Sequence, residues 1–361
     1  MCARAVCLLS MISLVGCGGP VASGEDASVP PDGGAQRDAG RDAGIADAGL
    51  PDADSGIPDS GVPDAAIADA GLTDSGVPDA GLMDAGSVPD GGTYRNSLSV
   101  CWTDATCQRA LAVAHGGAWD ALAVPYDSDG ALAAAYAAGI DGVKIDVRVT
   151  SDNVPVISHS SPLQLYESVD CYNRFIENST VAQVTACHRA PSTTEKFQRL
   201  DTVLNYLRGK MVAQLTVKRP QDYARVIQEI HALGAEDFAF MEINANELQT
   251  QIPTITGSGS IWYLINVAST LTDVDLLLNT INNPRAFMYE FDPTVTLGTL
   301  VTTRLHPAGI RSFTYDRSST LTEAQHKAYY DQGYDVVSSN KAVNCVNARK
   351  TVNGLRGVSP P

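Results

Sequence analysis

From about Tyr94 to Leu355, short apolar, β-branched or aromatic runs alternate with stretches of helical pattern. Strands are expected at Leu111–Ala114, Val143–Val149, Pro155–Ser158, Met211–Val217, Ala239–Ile243, Ile261–Val267, Ala286–Phe291, Ile310–Thr314 and Asp335–Ser338. Helices are expected at Gly130–Ala138, Arg199–Arg208, Pro220–Leu233, Ala245–Ile252, Thr272–Ile281, Pro293–Leu305 and Thr322–Asp331. Several helical stretches end in a glycine turn that runs into the next strand, as in Ala138-Gly139-Ile140. This alternation predicts an α/β fold with a parallel sheet. A folded length of about 260 residues is the usual size of a (β/α)8 TIM barrel, and it can bury a sizeable core. Nine strand candidates exceed the eight of a barrel. The join Thr150-Ser151-Asp152-Asn153 is too short for a helical crossover. It reads as a turn, so one of its neighbours is an extension and not an independent barrel strand.

Upstream the alternation stops. Met1 to Gly16 has Arg4, then an apolar run, and ends Leu14-Val15-Gly16 before Cys17. Residues 1–16 therefore read as a signal peptide, too short to span a bilayer as a helix. A Cys in that setting looks like a bacterial lipobox, which makes Cys17 the lipidated first residue and the membrane a partner through that anchor. Gly18 in place of an Asp favours the bacterial outer membrane or cell surface. Residues 17–93 form an Asp/Pro/Gly/Ala-rich linker, with a five-residue repeat from Gly56 to Ala85 and no aromatic residue between Gly18 and Thr93. Such a segment cannot offset its ordering entropy by burial. As a coil it spans roughly 50 Å. The linker holds fifteen of the 41 acidic residues and two of the 25 basic ones, so most of the formal charge of −16 belongs to it. No basic patch points to nucleic acid.

Within the domain at 94–361, polar residues stand at the ends of apolar runs, where (β/α) barrels keep their active sites. His115-Gly116-Gly117 closes the first run, and Pro125-Tyr126-Asp127-Ser128 follows. Lys144-Ile145-Asp146-Val147 lies in the second run, then Thr150-Ser151-Asp152-Asn153 and His159-Ser160. Later come Thr216-Val217-Lys218, Phe313-Thr314-Tyr315-Asp316 and the segment Gly333 to Asn340. In this order the motifs resemble those of the glycerophosphodiester phosphodiesterase family, a TIM barrel of the phospholipase C-like phosphodiesterase type. There the corresponding motifs are His-Arg-Gly, Pro-Glu-Asn-Thr, Glu-Ile-Asp-Val, Thr-x-Asp-Gly, His-Asp, Glu-x-Lys, Trp-Thr-x-Asn and Gly-x-Asp-x-Ile-x-x-Asp.

The resemblance implies hydrolysis of a phosphodiester, in a glycerophosphodiester or a phospholipid head group, often through a cyclic phosphate. His115 and His159 would be general base and acid, a task suited to groups that titrate near neutrality. It implies a divalent ion, Mg or Ca, held by the two carboxylates of Glu-x-Asp and the Glu of Glu-x-Lys. Only Asp146 keeps its family identity; Lys144 and Thr216 stand at the other two positions. A divalent cation about 4 Å from an ammonium meets roughly 8 kcal/mol of repulsion at an effective dielectric of 20. Gly116 replaces the family's phosphate-clamping Arg. Substrate contacts are expected from Gly116, Trp119 and Arg148; Trp119 and Tyr126 are candidates to stack on a lipid or alcohol group, with core packing the alternative.

Three readings follow. In one, Lys144 replaces the metal and Lys218 helps neutralise phosphate, as the cationic side chain does in similar bacterial phosphatidylinositol phospholipases. In another, Glu242 and Glu290 rebuild a displaced metal site with Asp146. In the third, the barrel is an inactive pseudoenzyme that binds phosphorylated head groups. Joint retention of His115, Asp146, His159 and Lys218 favours an enzyme.

Eight cysteines occur; Cys2 and Cys7 leave with the signal and Cys17 takes lipid. Outside the cytoplasm disulfides are expected: Cys171 with Cys187, and Cys101 with Cys107, or alternatively Cys101 with Cys345. Spacing leaves the connectivity open. Without a C-x-x-C pair, metal binding by cysteine is not expected. The long loop from Ser160 to Thr194 should cover the mouth of the barrel.

Overall fold

The computed structural model describes residues 97–120, 124–266, 272–281 and 283–358. The signal peptide, the lipidation of Cys17 and the linker lie outside the described residues. So do the ends of the expected domain, 94–96 and 359–361, and Val267 at the end of an expected strand.

Nine strands form: β1 (Leu111–His115), β2 (Gly142–Val149), β3 (Pro155–Ile157), β4 (Val212–Val217), β5 (Ala239–Asn244), β6 (Trp262–Asn266), β7 (Ala286–Phe291), β8 (Arg311–Asp316) and β9 (Val336–Ser339). All but β3 pair in parallel, and β1 pairs with both β2 and β9, which closes an eight-stranded ring. β3 runs antiparallel to the end of β2 after the tight turn at 150–153. It is the extension that the extra strand candidate required. The fold is a (β/α)8 TIM barrel.

The barrel layers follow from the two-residue period of a strand. Leu111 and Val113 pack inward with Val212, Phe240, Leu264, Met288, Phe313 and Val336. The same face of β1 ends in His115. On β2, Val143, Ile145 and Val147 belong to the larger core between strands and helices. The alternate residues Gly142, Lys144 and Asp146 therefore face the barrel axis. Apolar side chains fill its lower half and polar ones crowd its C-terminal mouth. Trp102 plugs the lower end. A Cβ on Gly142 would lie 2.8 Å from the Trp102 ring and 3.0 Å from the Val212 carbonyl oxygen. Just before β2, Asp141 pairs with Arg109 at 3.0 Å and with Arg349, and accepts the Ala112 amide at 2.9 Å.

The helices are α1 (Asp129–Ala138), α2 (Val181–Thr185), α3 (Leu200–Leu207), α4 (Tyr223–Leu233), α5 (Ala245–Thr250), α6 (Thr272–Thr280), α7 (Glu323–Asp331) and α8 (Ala342–Leu355). Ser128 caps α1, its hydroxyl accepting the Ala131 amide at 3.2 Å. Thr322 and Gln325 form a reciprocal capping box on α7.

Three expectations need correction. The helix expected at Pro293–Leu305 is turns as far as one π-helical turn at Val301–Leu305, with Gly298 left-handed at φ 53°. α8 was not expected, because Asn344, Asn347, Asn353 and Gly354 blur its apolar stripe. Cys101 bonds Cys107 and Cys171 bonds Cys187, with Cα separations of 5.3 and 5.8 Å, so Cys101 does not reach Cys345. Cys345 is buried on α8, its thiol 3.5 Å from the Val337 carbonyl oxygen and 3.6 Å from the Tyr330 hydroxyl.

The plug gives a test of the layering. Gly142→Ala should cost about 1–3 kcal/mol, because neither Trp102 nor the β4 backbone can withdraw from a close-packed barrel end. Urea unfolding of the two proteins measures it.

Candidate active site

The mouth is organised around Asp146, whose carboxylate is wholly buried. Lys144 Nζ donates to Oδ1 at 2.6 Å, Lys218 Nζ lies 2.9 Å from the same oxygen, and the Tyr126 hydroxyl donates to Oδ2 at 2.9 Å. Burial alone would raise the pKa of Asp146. The two ammonium groups overturn that and hold it well below the usual carboxylate range. Burial likewise works against the charge on Lys144, yet the Asp146 carboxylate raises its pKa above the ordinary lysine value. Both groups are therefore charged at neutral pH.

His115 faces this pair from the tip of β1, in register with Lys144. Its Nδ1 is 2.7 Å from Asn340 Oδ1, while Asn340 Nδ2 donates to the Arg317 carbonyl oxygen at 2.8 Å. With its amide so oriented, Asn340 accepts from Nδ1–H, which leaves the lone pair of the neutral ring on Nε2. Nε2 faces the Tyr315 hydroxyl at 3.1 Å, the Tyr126 hydroxyl at 3.2 Å and Lys144 Nζ at 3.3 Å. Burial first, and then the Lys144 charge, push the His115 pKa well below its ordinary value. His115 is a neutral imidazole with a basic nitrogen aimed into the mouth.

His159 stands across the mouth, just beyond β3. The Tyr126 ring lies between the two histidines, at 5.2 Å from His115 and 6.3 Å from His159, centroid to centroid. His159 is held from three sides. Its Nδ1 meets the Tyr166 hydroxyl at 3.0 Å and Ser160 Oγ at 3.2 Å. Its amide donates to Glu167 Oε1 at 2.9 Å, and its carbonyl oxygen accepts from Arg148 at 2.8 and 3.1 Å. Arg148, expected to contact substrate, here braces the turn that carries His159. Trp119 also braces backbone, its indole donating to the His115 carbonyl oxygen at 3.0 Å. Gly116 has φ 68°, and a Cβ there would lie 2.0 Å from the Tyr126 ring. It gives that ring its place.

The model of the glycerophosphoryl diester phosphodiesterase family matches residues 122–290. The match lies within the barrel domain and supports its membership of this family. No curated protein sequence matches the chain. Solved structures of glycerophosphodiester phosphodiesterases share its fold. A glycerophosphoryl diester phosphodiesterase from Parabacteroides distasonis is 17% identical over 70% of this chain and 90% of its own, with a TM-score of 0.58. A putative glycerophosphodiester phosphodiesterase from Galdieria sulphuraria is 12% identical over 67% and 98%, with a TM-score of 0.55. A phosphodiesterase from Oleispira antarctica, solved with the product sn-glycerol-3-phosphate, is 15% identical over 68% and 99%, with a TM-score of 0.52.

The residues present do not fit the divalent ion of the glycerophosphodiester phosphodiesterases. The Lys144 ammonium sits against Asp146 Oδ1, where a cation at the ~2.0–2.6 Å of a metal–oxygen bond would have to lie. Thr216, at the third ligand position, donates to Glu242 Oε2 at 2.6 Å, and Gln214 donates to the same oxygen at 3.0 Å. Glu242 is thereby turned to its neighbours on β4. Glu290, buried on β7, does not complete a site either. Among the described residues no three His, Cys, Asp or Glu groups are placed to hold a metal ion.

The structure thus brings His115, His159, Lys144, Asp146 and Lys218 together. It adds Tyr315, Asn340 and Glu167, which sequence reasoning did not place in the site, and it brings Tyr126 and Tyr166, expected at the mouth, against the histidines themselves. For Tyr315 and Asn340 a signal existed. Each lies two residues past an inward position, Phe313 on β8 and Ser338 on β9.

Asp127 lies directly behind Tyr126, wholly buried, with no hydrogen-bond partner on either carboxyl oxygen. Burial, and then the nearby Asp146 charge, raise its pKa to about 8. An unfolded chain releases that proton near pH 4. Folding therefore takes up a proton between those values, and stability falls as pH rises through that window. Asp127→Asn should remove this dependence and raise the melting temperature at pH 8 by a few degrees, with little change at pH 4. Calorimetric scans across that range check it.

Proposed function

We propose that the domain hydrolyses glycerophosphodiesters or phospholipid head groups by His/His acid–base catalysis, with Lys144 in the place of the family's metal. The observation that carries the reading is the contact of Lys144 with both Asp146 Oδ1 and His115 Nε2, at 2.6 and 3.3 Å. One side chain links the electrostatic centre of the mouth to its base.

The charge balance supports it. In the family three carboxylates, one lysine and a divalent ion leave the centre neutral. Here Lys144 and Lys218 face Asp146, with the Glu242 carboxylate near Lys144, so two ammonium groups in the mouth can meet the single negative charge of a phosphodiester. A fixed ammonium also stabilises charge that develops on the phosphoryl oxygens, without reorganisation at the moment of reaction.

In the first step a hydroxyl of the substrate, next to the ester, attacks phosphorus. His115 Nε2 takes its proton as the new P–O bond forms. The bond to the leaving alcohol breaks, and His159 protonates that alkoxide. In the second step water opens the resulting cyclic phosphate, its proton passing to one histidine while the other returns a proton to the ring oxygen. Lys144 and Lys218 contact the phosphoryl oxygens throughout. Asn340 fixes the His115 tautomer, and Tyr166 with Glu167 fixes His159.

The sequence further supports an acyl anchor on Cys17 and display of the barrel at the bacterial outer membrane or cell surface.

The test is hydrolysis of glycerophosphocholine and lysophosphatidylcholine with and without EDTA. Activity should survive EDTA and vanish in His115→Ala. Lys144→Met should lower kcat by roughly 10²–10³, the loss typical of one transition-state donor. It should also move the acid limb of the pH–rate profile upward, because the Lys144 charge depresses the His115 pKa. Activity abolished by EDTA would overturn the lysine mechanism. No activity above His115→Ala would leave a binding module for phosphorylated head groups.

A further inference from the structure

The segment between β3 and α3 carries most of the exposed apolar bulk of the described domain. Eight large apolar side chains are exposed among the described residues, and five of them are Leu165, Tyr166, Val169, Tyr172 and Phe175. The other three are dispersed on α6 and α8. Val169 is 70% exposed and Leu165 57%, which for aliphatic side chains in one short loop marks a contact surface.

This loop is not free to fold its apolar groups inward. The Leu163 amide donates to the Arg174 carbonyl oxygen at 2.9 Å and the Asn173 amide to the Leu163 carbonyl oxygen at 3.0 Å, so residues 164–172 are closed at the neck. The Cys171–Cys187 disulfide ties the loop to α2. Glu167 is turned inside, where it accepts the amides of His159 and Ser160. The exposed face carries one exposed carboxylate, Asp170, which lies 2.8 Å from His188 Nδ1. The loop also touches the chemistry, because the Tyr166 hydroxyl lies 3.0 Å from His159 Nδ1 and 2.8 Å from Ser160 Oγ.

We propose that this loop docks the barrel mouth onto a zwitterionic lipid surface, so that the substrate is an amphiphile whose acyl chain stays in that surface while its phosphodiester head enters the barrel mouth. The proposal rests on the phosphodiesterase reading for the fate of the head group, but not for the docking. Leu165, Val169 and Phe175 supply the aliphatic and aromatic insertion, and the tyrosines sit at head-group level, where amphipathic rings are favoured. With one exposed carboxylate and no cluster of cations, the face suits choline-type head groups better than an anionic surface.

The experiment compares the full chain carrying Cys17→Ser, so that no acyl anchor contributes, with the same chain bearing L165S, V169S and F175S. Sedimentation with phosphatidylcholine vesicles should show binding by the parent and at least a tenfold weaker partition for the variant. Matching melting temperatures would show that the fold is kept. With glycerophosphocholine, kcat/KM should agree within twofold; with lysophosphatidylcholine above its critical concentration, the variant should lose about tenfold. Equal partition of the two chains, or no partition of the parent, overturns the proposal. Loop-dependent binding without hydrolysis would refute the catalytic reading and leave the docking surface standing. Hydrolysis of both substrates without vesicle binding would do the reverse.

Discussion

The Lys144–Asp146 pair is the constraint on which the mouth depends. A carboxylate removed from water without partners costs several kcal/mol or takes up a proton. Asp146 avoids both, because its two oxygens accept from Lys144, Lys218 and Tyr126. Lys144 can then stay charged inside the barrel, and burial together with its charge keeps His115 neutral. Remove either partner and the other is left buried and unpaired, the base changes its protonation, and Tyr126 loses the acceptor that holds its ring between the histidines. Charge, base and geometry form one arrangement.

Under the proposed mechanism that arrangement also accounts for the departure from the family's metal ligands. A divalent ion brings charge and needs oxygen ligands to hold it. A lysine on the neighbouring inward position of the same strand brings charge that is covalently placed, and it needs only one counter-ion. The carboxylate at the third ligand position then has no cation to bind, and Thr216 there closes a hydrogen bond to Glu242 instead.

The fold was legible because strands and helices impose periods of 2 and 3.6 on the sequence. The ring order, the turn at 150–153 and the inward placement of Lys144 beside Asp146 all follow from those periods. Tyr315 and Asn340 lay within reach of the same reasoning, since counting by two along β8 and β9 leads to them. The contacts of Tyr126 and Tyr166, and Glu167 altogether, did not. These residues sit in loops, where no period applies and a side chain's direction is set by turns and by contacts distant in sequence. Glu167 illustrates this: a lone acidic residue in a polar loop gives no sign that it will be buried under the amides of His159 and Ser160. The segment at Pro293–Leu305 failed differently, because an apolar pattern compatible with a helix was overruled by turn residues inside it.

Gly116 and Tyr126 show that the departures from the family are linked. Gly116 stands where the family has its phosphate-clamping arginine, and Tyr126 where it has a glutamate. A side chain on residue 116 would put its Cβ 2.0 Å from the Tyr126 ring, at a backbone φ of 68° that already favours glycine. The ring can lie between the histidines only if residue 116 has no side chain. Its hydroxyl donates to Asp146 Oδ2, the oxygen that the two lysines leave open. Restoring the arginine alone would clash with the ring, and restoring the glutamate alone would place a second carboxylate beside Asp146. The loss of the clamp and the loss of the metal site are therefore parts of a single structural solution, in which Lys144, Lys218 and the Tyr126 hydroxyl together satisfy the two oxygens of Asp146.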